Sequence, residues 1–226
     1  MNEENISQSF KMNYYLHRPW TDILFETTLP PMVLEKMIEI SDEVLADSRR
    51  ISWGGYLAGQ IKEELLIEPE LLKKENLLDF FGNMVQEYVH QCNLQQAPPD
   101  QHQHQETVKN HIQVTVNSMW IVEQQPGEYN PIHTHTNCDV SAVMYLKTPN
   151  FLPSEKTERD DDGTIYFIGS SSPKTKLNTN SLKVKPTPGA FFIFPSHLQH
   201  TVYPYKTNDN FARRSVSFNA SFEYKE

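Results

Sequence analysis

The chain has 226 residues, with 20 basic and 29 acidic side chains and a formal net charge of −9, a size that fits one generous domain. The acidic balance argues against a general binder of nucleic acid or of anionic membranes, since such proteins need a basic surface. No apolar run approaches the ~20 residues of a membrane span. The two cysteines form no CxxC pair, and the N-terminus lacks the apolar stretch of a signal peptide, so we expect a cytoplasmic protein.

The first 105 residues are predicted to be mostly helix and loop. Apolar residues at intervals of three and four over 33–45 follow a proline pair, which suits a helix start. The same spacing over 77–92 predicts a second helix. The polar segment 94–105 predicts a loop, and its histidines, His102 and His104, are more typical of a solvated pair than of metal ligands.

From His111 onward the pattern changes to short strands separated by turn residues. Several strands without intervening helices indicate an antiparallel sandwich or barrel. We therefore expect 1–226 to form a single α+β, mainly β, domain, with 1–105 as helical support and 106–226 as the β core. The predicted strands begin at Ile112 and continue at 140–147, 164–168, 182–185, 190–194, 201–205 and 213–222.

The last predicted strand has one apolar and one polar face. Its apolar residues are Val216, Phe218, Ala220 and Phe222, and its polar residues are Arg213, Ser215, Ser217, Asn219 and Ser221. An edge strand facing water shows this pattern. A barrel strand whose polar face turns inward onto a ligand shows it as well.

Three of the histidines form a candidate metal site. His133 and His135 are two residues apart, so on extended backbone both imidazoles share a face. His200 opens a later strand and offers a third ligand. Three ligands leave coordination positions open, as catalytic sites require, and imidazole suits iron, copper or zinc. An HxH pair alone is more often structural, but the surrounding residues favour a metal.

These histidines lie within an ordered series of short motifs between Trp120 and the C-terminus. The series resembles the non-heme iron, 2-oxoglutarate-dependent dioxygenases, and among them the uncharacterised bacterial and phage branch of the prolyl-hydroxylase-like superfamily. The motifs are Pro126-Gly127-x-Tyr-Asn-x-x-His133-Thr-His135, Asp162-Gly163-Thr-Ile-Tyr-Phe, Pro188-Gly189-Ala-Phe-Phe-Ile-Phe-Pro-Ser196-x-x-x-His200 and Arg213-x-Ser215-x-Ser217-Phe218-Asn219.

The resemblance implies a double-stranded β-helix, a cupin-like jelly-roll barrel braced by N-terminal helices, that uses Fe(II), 2-oxoglutarate and O2. His133 and His200 match the two iron histidines of the superfamily. His135 occupies the position where the superfamily usually has an acidic residue, and it is implied as the third ligand. Asp139 or a water molecule is the alternative for that third position.

Arg213 matches the residue that pairs with the far carboxylate of 2-oxoglutarate. An inward arginine offers the bidentate fork that a dicarboxylate needs. Ser215 shares its face, and Tyr145 matches a tyrosine that contacts the same carboxylate. Arg214 has the opposite parity, so the strand register decides between the two arginines.

The activity implied is hydroxylation of a C–H bond with release of succinate and CO2. The substrate is unidentified, a peptide side chain or a small metabolite being favoured, with neither nucleic acid nor membrane as a partner. A cupin-like three-histidine metalloenzyme that does not use 2-oxoglutarate is an alternative, and a non-enzymatic jelly-roll binding module is another. The charged segment 150–162 fits either a lid or a solvated loop.

Overall fold

The computed structural model describes residues 22–98, 109–153, 160–169 and 181–225. The histidines His102 and His104, and the centre of the 150–162 segment, lie outside this part of the chain. Both predicted helices are present, one starting at a proline that suits the first helical turn. The helices are α1 (Pro31–Ala46), α2 (Pro69–Lys74) and α3 (Leu77–Gln96), with a 3₁₀ turn at Gly54–Tyr56. None of the described helices is long and apolar enough to cross a membrane.

Ten strands in the described residues form two antiparallel sheets, which confirms the predicted mainly β, jelly-roll fold. The larger sheet has the order β1-β8-β5-β10-β3-β2, and the smaller has the order β4-β9-β6-β7. The strands are β1 (Phe25–Thr28), β2 (Glu64–Leu66), β3 (Ile112–Gln124), β4 (Asn130–His133), β5 (Val140–Lys147), β6 (Ile165–Ile168), β7 (Ser181–Val184), β8 (Ala190–Pro195), β9 (Gln199–Val202) and β10 (Arg213–Tyr224).

The N-terminal part is less purely helical than its sequence predicts. Besides the helices it supplies β1, which pairs with β8, and β2, which pairs with β3. Both are edge strands of the larger sheet. Strands this short do not show enough alternation to be recognised as strands.

The apolar face of β10 packs against the helices. Val216, Phe218 and Ala220 have no solvent exposure, and the ring of Phe218 lies 5.5 Å from that of Phe81 on α3. The helices therefore cover the outer face of the larger sheet with the main hydrophobic core, and burial of this apolar area is the principal stabilising contribution.

The polar face of β10 turns inward, between the two sheets. Arg213 and Ser215 are 1 % and 3 % exposed, so β10 is not an edge strand facing water but a barrel strand with polar residues inside. A smaller apolar cluster that includes Tyr145 and Phe194 fills the rest of the barrel interior. The fold thus creates a polar cavity in an otherwise apolar barrel.

One strand ends earlier than predicted. The strand predicted over 201–205 is β9, which ends at Val202. Pro204 has no amide hydrogen with which to continue the ladder. The short strand β4, which carries His133, was not among the predicted strands.

Candidate functional site

Two neighbouring strands and one loop bring the three predicted histidines together. His133 at the end of β4 lies opposite His200 on β9 in the antiparallel register. His135 follows β4, where its backbone N–H donates to the Ser196 carbonyl at 2.9 Å. One ring nitrogen from each histidine lies within 4.8 Å of the others. The fold therefore brings two histidines of one segment and one from a segment 65 residues away to one place in the barrel.

Hydrogen bonds orient the imidazoles for metal binding. Nδ1 of His133 lies 2.8 Å from the Pro131 carbonyl, and Nδ1 of His200 lies 2.9 Å from the Leu198 carbonyl. A carbonyl only accepts, so each Nδ1–H donates and each Nε2 keeps its lone pair. Nε2 of His200 lies 3.4 Å from Nε2 of His135. No carbonyl fixes the tautomer of His135 among the described hydrogen bonds, so its Nε2 either donates to His200 or turns a lone pair towards it. In the second tautomer both nitrogens could bind a divalent cation.

Burial keeps these imidazoles neutral. Desolvation lowers the pKa of His133. Desolvation and the neighbouring imidazoles lower the pKa of His135 to about 4 and that of His200 to about 3. A neutral imidazole is the form that binds metal, so all three are ready to bind at neutral pH.

Asp139, the alternative third ligand, lies away from the histidines. Its Oδ2 accepts the backbone N–H of Phe222 at 3.1 Å, and its own N–H donates to the Ala220 carbonyl at 3.0 Å. The carboxylate therefore ties the start of β5 to β10. Of the two protein ligands considered for the third position, the structure places His135, and not Asp139, beside His133 and His200.

The three histidines line a cavity of about 480 Å³ in the barrel. The other predicted site residues, Tyr145, Arg213 and Ser215, line the same cavity. The structure thus brings all six predicted site residues to one cavity. Ser217 and Asn219 extend the polar wall along β10.

Arg213 is a buried cation without a carboxylate partner among the described residues. It donates from Nη1 to the Gly163 carbonyl at 2.9 Å and from Nη2 to Oε1 of Gln124, while its Nε is buried with no partner. Desolvation lowers its pKa. Its guanidinium lies 5.5 Å from the centre of the Tyr145 ring, and the Tyr145 hydroxyl is likewise buried and unpartnered. An anion that accepts hydrogen bonds would complete both groups.

Arg214 faces the other way, towards the helices. Its guanidinium pairs with Glu123 at 2.6 Å and with Asp42 of α1, and it donates to the Ser41 hydroxyl at 3.0 Å. The register of β10 therefore directs Arg213 into the cavity, and Arg214 joins α1 to the outer face of the sheet.

Several cavity residues were not among the sequence predictions. Trp53, Tyr56 and Glu64 form part of the cavity wall, and Gln124, behind the wall, accepts a hydrogen bond from Arg213. Trp120, for which core packing is the natural expectation, is 3 % exposed and lines the cavity as well. The only sequence signal for this wall was the aromatic and glycine-rich run at 53–59, which by itself also fits an ordinary loop.

The β part of the chain matches a known family. A family model described as "Putative 2OG-Fe(II) oxygenase" matches residues 118–219. This range contains every predicted site residue and confirms the resemblance seen in the sequence motifs. No curated protein matches the chain.

Solved structures with the same fold come from the same group of enzymes. A Pseudomonas putida prolyl-4-hydroxylase is 15 % identical with a TM-score of 0.51, over 91 % of this chain and 95 % of that one. A 2OG-Fe(II) oxygenase family oxidoreductase from Burkholderia pseudomallei is 12 % identical with a TM-score of 0.51, over 87 % and 85 %. A Trichoplax adhaerens prolyl hydroxylase, in complex with a hypoxia inducible factor peptide fragment, is 11 % identical with a TM-score of 0.55, over 88 % and 83 %. At these identities the structures establish the shared fold.

Proposed function

We propose that the chain is a 2OG-Fe(II) oxygenase, which the match of residues 118–219 to that family model supports, and that it hydroxylates a C–H bond of its substrate with release of succinate and CO2. Fe(II), 2-oxoglutarate and O2 are the cofactor and cosubstrates of this family. When bound, the iron and 2-oxoglutarate supply the oxidising chemistry with O2. The residues of this chain supply binding, orientation and exclusion of water.

The cluster formed by His133, His135 and His200 is proposed to hold the iron. Its donor set fits, because three neutral imidazole nitrogens converge and suit a transition metal better than magnesium or calcium. No carboxylate of the described residues belongs to this cluster, so its neutral imidazoles would leave both positive charges of Fe(II) uncompensated. Together with Arg213 the bound iron would make this part of the cavity cationic, although the whole chain carries −9. A dianionic cosubstrate would thus be attracted locally.

Arg213 is proposed to bind the far carboxylate of 2-oxoglutarate. The observation that carries the proposal is that this buried arginine, which has no carboxylate partner among the described residues, faces the same cavity as the three histidines. The Tyr145 hydroxyl can donate to the same carboxylate, and Ser215, two residues along β10, offers another hydroxyl. Such charge-assisted hydrogen bonds in a buried site are stronger than those between neutral groups.

The substrate is proposed to be a peptide side chain or a small metabolite. The Trichoplax adhaerens neighbour was solved with a peptide fragment, which makes a peptide a reasonable first candidate for this chain. The ring of Tyr56, which lines the cavity and is 78 % exposed, offers contact area for such a substrate.

Consumption of 2-oxoglutarate tests the function directly. Purified protein supplied with Fe(II), O2 and 2-oxoglutarate should form succinate and CO2 slowly without a substrate. His135→Ala should abolish this turnover because it removes an iron ligand. His197→Ala is a matched control, since His197 is exposed and bonds Asp22 at 2.9 Å outside the cluster. Metal binding with no consumption of 2-oxoglutarate would favour the three-histidine metalloenzyme that does not use it.

A further inference from the structure

A buried carboxyl group lies in the wall of the cavity and has no role in holding iron or 2-oxoglutarate. Glu64 begins β2, pairs with Val122 of β3 and is 2 % exposed. It lines the same cavity as the histidines, and its Oε2 is buried without a hydrogen-bond partner. A buried carboxylate without a partner is costly, so its presence requires an explanation.

The preceding residue is also a glutamate, and its carboxylate has an ordinary partner. Glu63 pairs with Arg50 at 3.1 Å, as an ordinary partly exposed ion pair does. No basic side chain pairs with Glu64 among the described residues. The charged group that influences it most is Glu128, and this repulsion adds to desolvation in raising the pKa of Glu64 to about 7. A cation bound beside Glu64 would stabilise its ionised form.

A glycine makes room for this carboxyl group. A Cβ at Gly59 would lie 2.7 Å from Oε1 of Glu64 and 2.4 Å from Oδ1 of Asn130, closer than real Cβ contacts allow. The absent side chain lets these two oxygen-bearing groups approach the same point. Asn130 starts β4, the strand that ends at His133, so this corner adjoins the strand that carries the iron site.

Aromatic rings surround the same corner. The rings of Trp53 and Tyr56 lie 4.7 Å apart, and both residues line the cavity with Trp120. The backbone N–H of Trp53 donates to the Glu64 carbonyl at 2.7 Å, so the aromatic segment and β2 are held together. Aromatic faces combined with a carboxylate are the arrangement that recognises a cationic nitrogen.

We propose that Glu64, together with Trp53, Tyr56 and Trp120, forms a substrate subsite that binds a cationic nitrogen, an ammonium or a guanidinium group. The inference rests on the proposed function, since it names the substrate class of the same cavity. Glu64 is then a specificity-determining residue that contacts the substrate and takes no part in binding iron.

Binding of matched probes tests this subsite. Nα-acetyl-lysine methylamide and Nα-acetyl-arginine methylamide are titrated, beside the uncharged Nα-acetyl-norleucine methylamide, into protein loaded with Mn(II) and 2-oxoglutarate. Ligand-observed NMR gives the affinities. A charged hydrogen bond is worth about 1.5–3 kcal/mol, so at least one cationic probe should bind about 10- to 100-fold more tightly than the norleucine probe.

Two variants locate the preference. Glu64→Gln should bring the cationic and uncharged probes to within about twofold of each other, since it removes the charge and keeps the shape. Glu63→Gln makes the same change of net charge outside the cavity and should keep the preference. Gly59→Ala fills the corner without removing the carboxyl group and should also weaken the cationic probes.

Three outcomes would overturn the subsite. They are equal binding of charged and uncharged probes by the wild type, no binding of either cationic probe into the millimolar range, and an unchanged preference in Glu64→Gln. Binding of 2-oxoglutarate is measured in the same samples by its effect on Tm. If that binding is intact while the preference is absent, only the subsite proposal fails. If 2-oxoglutarate does not bind, the proposed function itself fails.

Discussion

Replacing Arg213 by methionine should separate cosubstrate binding from stability. Arg213 is 1 % exposed and has no carboxylate partner among the described residues, so its removal relieves the cost of burying a charge, about several kcal/mol. It also leaves the Gly163 carbonyl and the Gln124 side chain without a donor, at about 1–3 kcal/mol each. These effects oppose each other, so the free energy of unfolding without cosubstrate should change by less than about 2 kcal/mol.

The response to 2-oxoglutarate should change far more. At 100 times its Kd the cosubstrate stabilises the wild type by about 2.7 kcal/mol, which for a chain of this size raises Tm by about 5–10 °C. Loss of both bonds to a carboxylate, at about 1.5–3 kcal/mol per bond, raises Kd by at least about 100-fold. The same concentration then contributes at most about 0.4 kcal/mol, and the shift in Tm falls to about 1 °C or less.

Arg214→Met is the matched control for this experiment. It breaks the ion pairs with Glu123 and Asp42. We expect a loss of about 3 kcal/mol in the free energy of unfolding. This value is towards the low end for a buried network because the Asp42 side chain is 52 % exposed. Its Tm should therefore fall, while the shift with 2-oxoglutarate stays. Differential scanning fluorimetry with Mn(II) measures both quantities. A shift that survives in Arg213→Met and disappears in Arg214→Met would refute the assignment.

Two further predictions concern pH and backbone conformation. His135 and His200 have pKa values of about 4 and about 3, below the ordinary 6.5, so between these values the native state binds fewer protons than the unfolded chain. The free energy of unfolding of the metal-free protein should therefore fall by about 1.4 kcal/mol per pH unit for each of the two histidines as the pH falls from 6.5 towards 4. Urea unfolding at several pH values measures this dependence. If a variant with both His135→Asn and His200→Asn kept the same dependence, the two histidines would not be its cause. Gly163 has φ +72°, and a Cβ there would lie 2.6 Å from the Phe151 ring, whereas Gly127 has φ +84° and open space. Gly163→Ala should therefore cost about 2–4 kcal/mol and Gly127→Ala about 1 kcal/mol, and equal losses in urea unfolding would show that the ring contact is unimportant.

Much of the β core could be read from the sequence because alternation and burial are local properties. The two faces of β10 follow directly from the alternation of its polar and apolar residues. In the structure the polar face forms part of the cavity wall, and the apolar face packs against the helices. The predicted β5 matches the observed Val140–Lys147. In a barrel each inward position on a strand faces the interior, so Arg213 and Ser215 reach the cavity once the parity of β10 is known.

The rest of the site depends on contacts that no local pattern encodes. Glu64 lies on a strand of three residues, too short for alternation to indicate which side faces the cavity. The partners of Arg213 are a glutamine at the end of β3 and a carbonyl at Gly163, which are distant in sequence. Asp139 offered a plausible carboxylate ligand, and only the hydrogen bond to Phe222 shows that it serves the sheet instead.

Anaerobic titration of the metal-free protein with Fe(II) and then 2-oxoglutarate measures whether the three histidines and the cosubstrate share one metal ion. If iron held by His133, His135 and His200 also binds the 2-oxo acid, a charge-transfer absorption band should appear only when both are present. The band should be absent in His200→Ala and retained in His197→Ala. Tight Fe(II) binding with no band in the wild type, or an unchanged band in His200→Ala, would contradict the account.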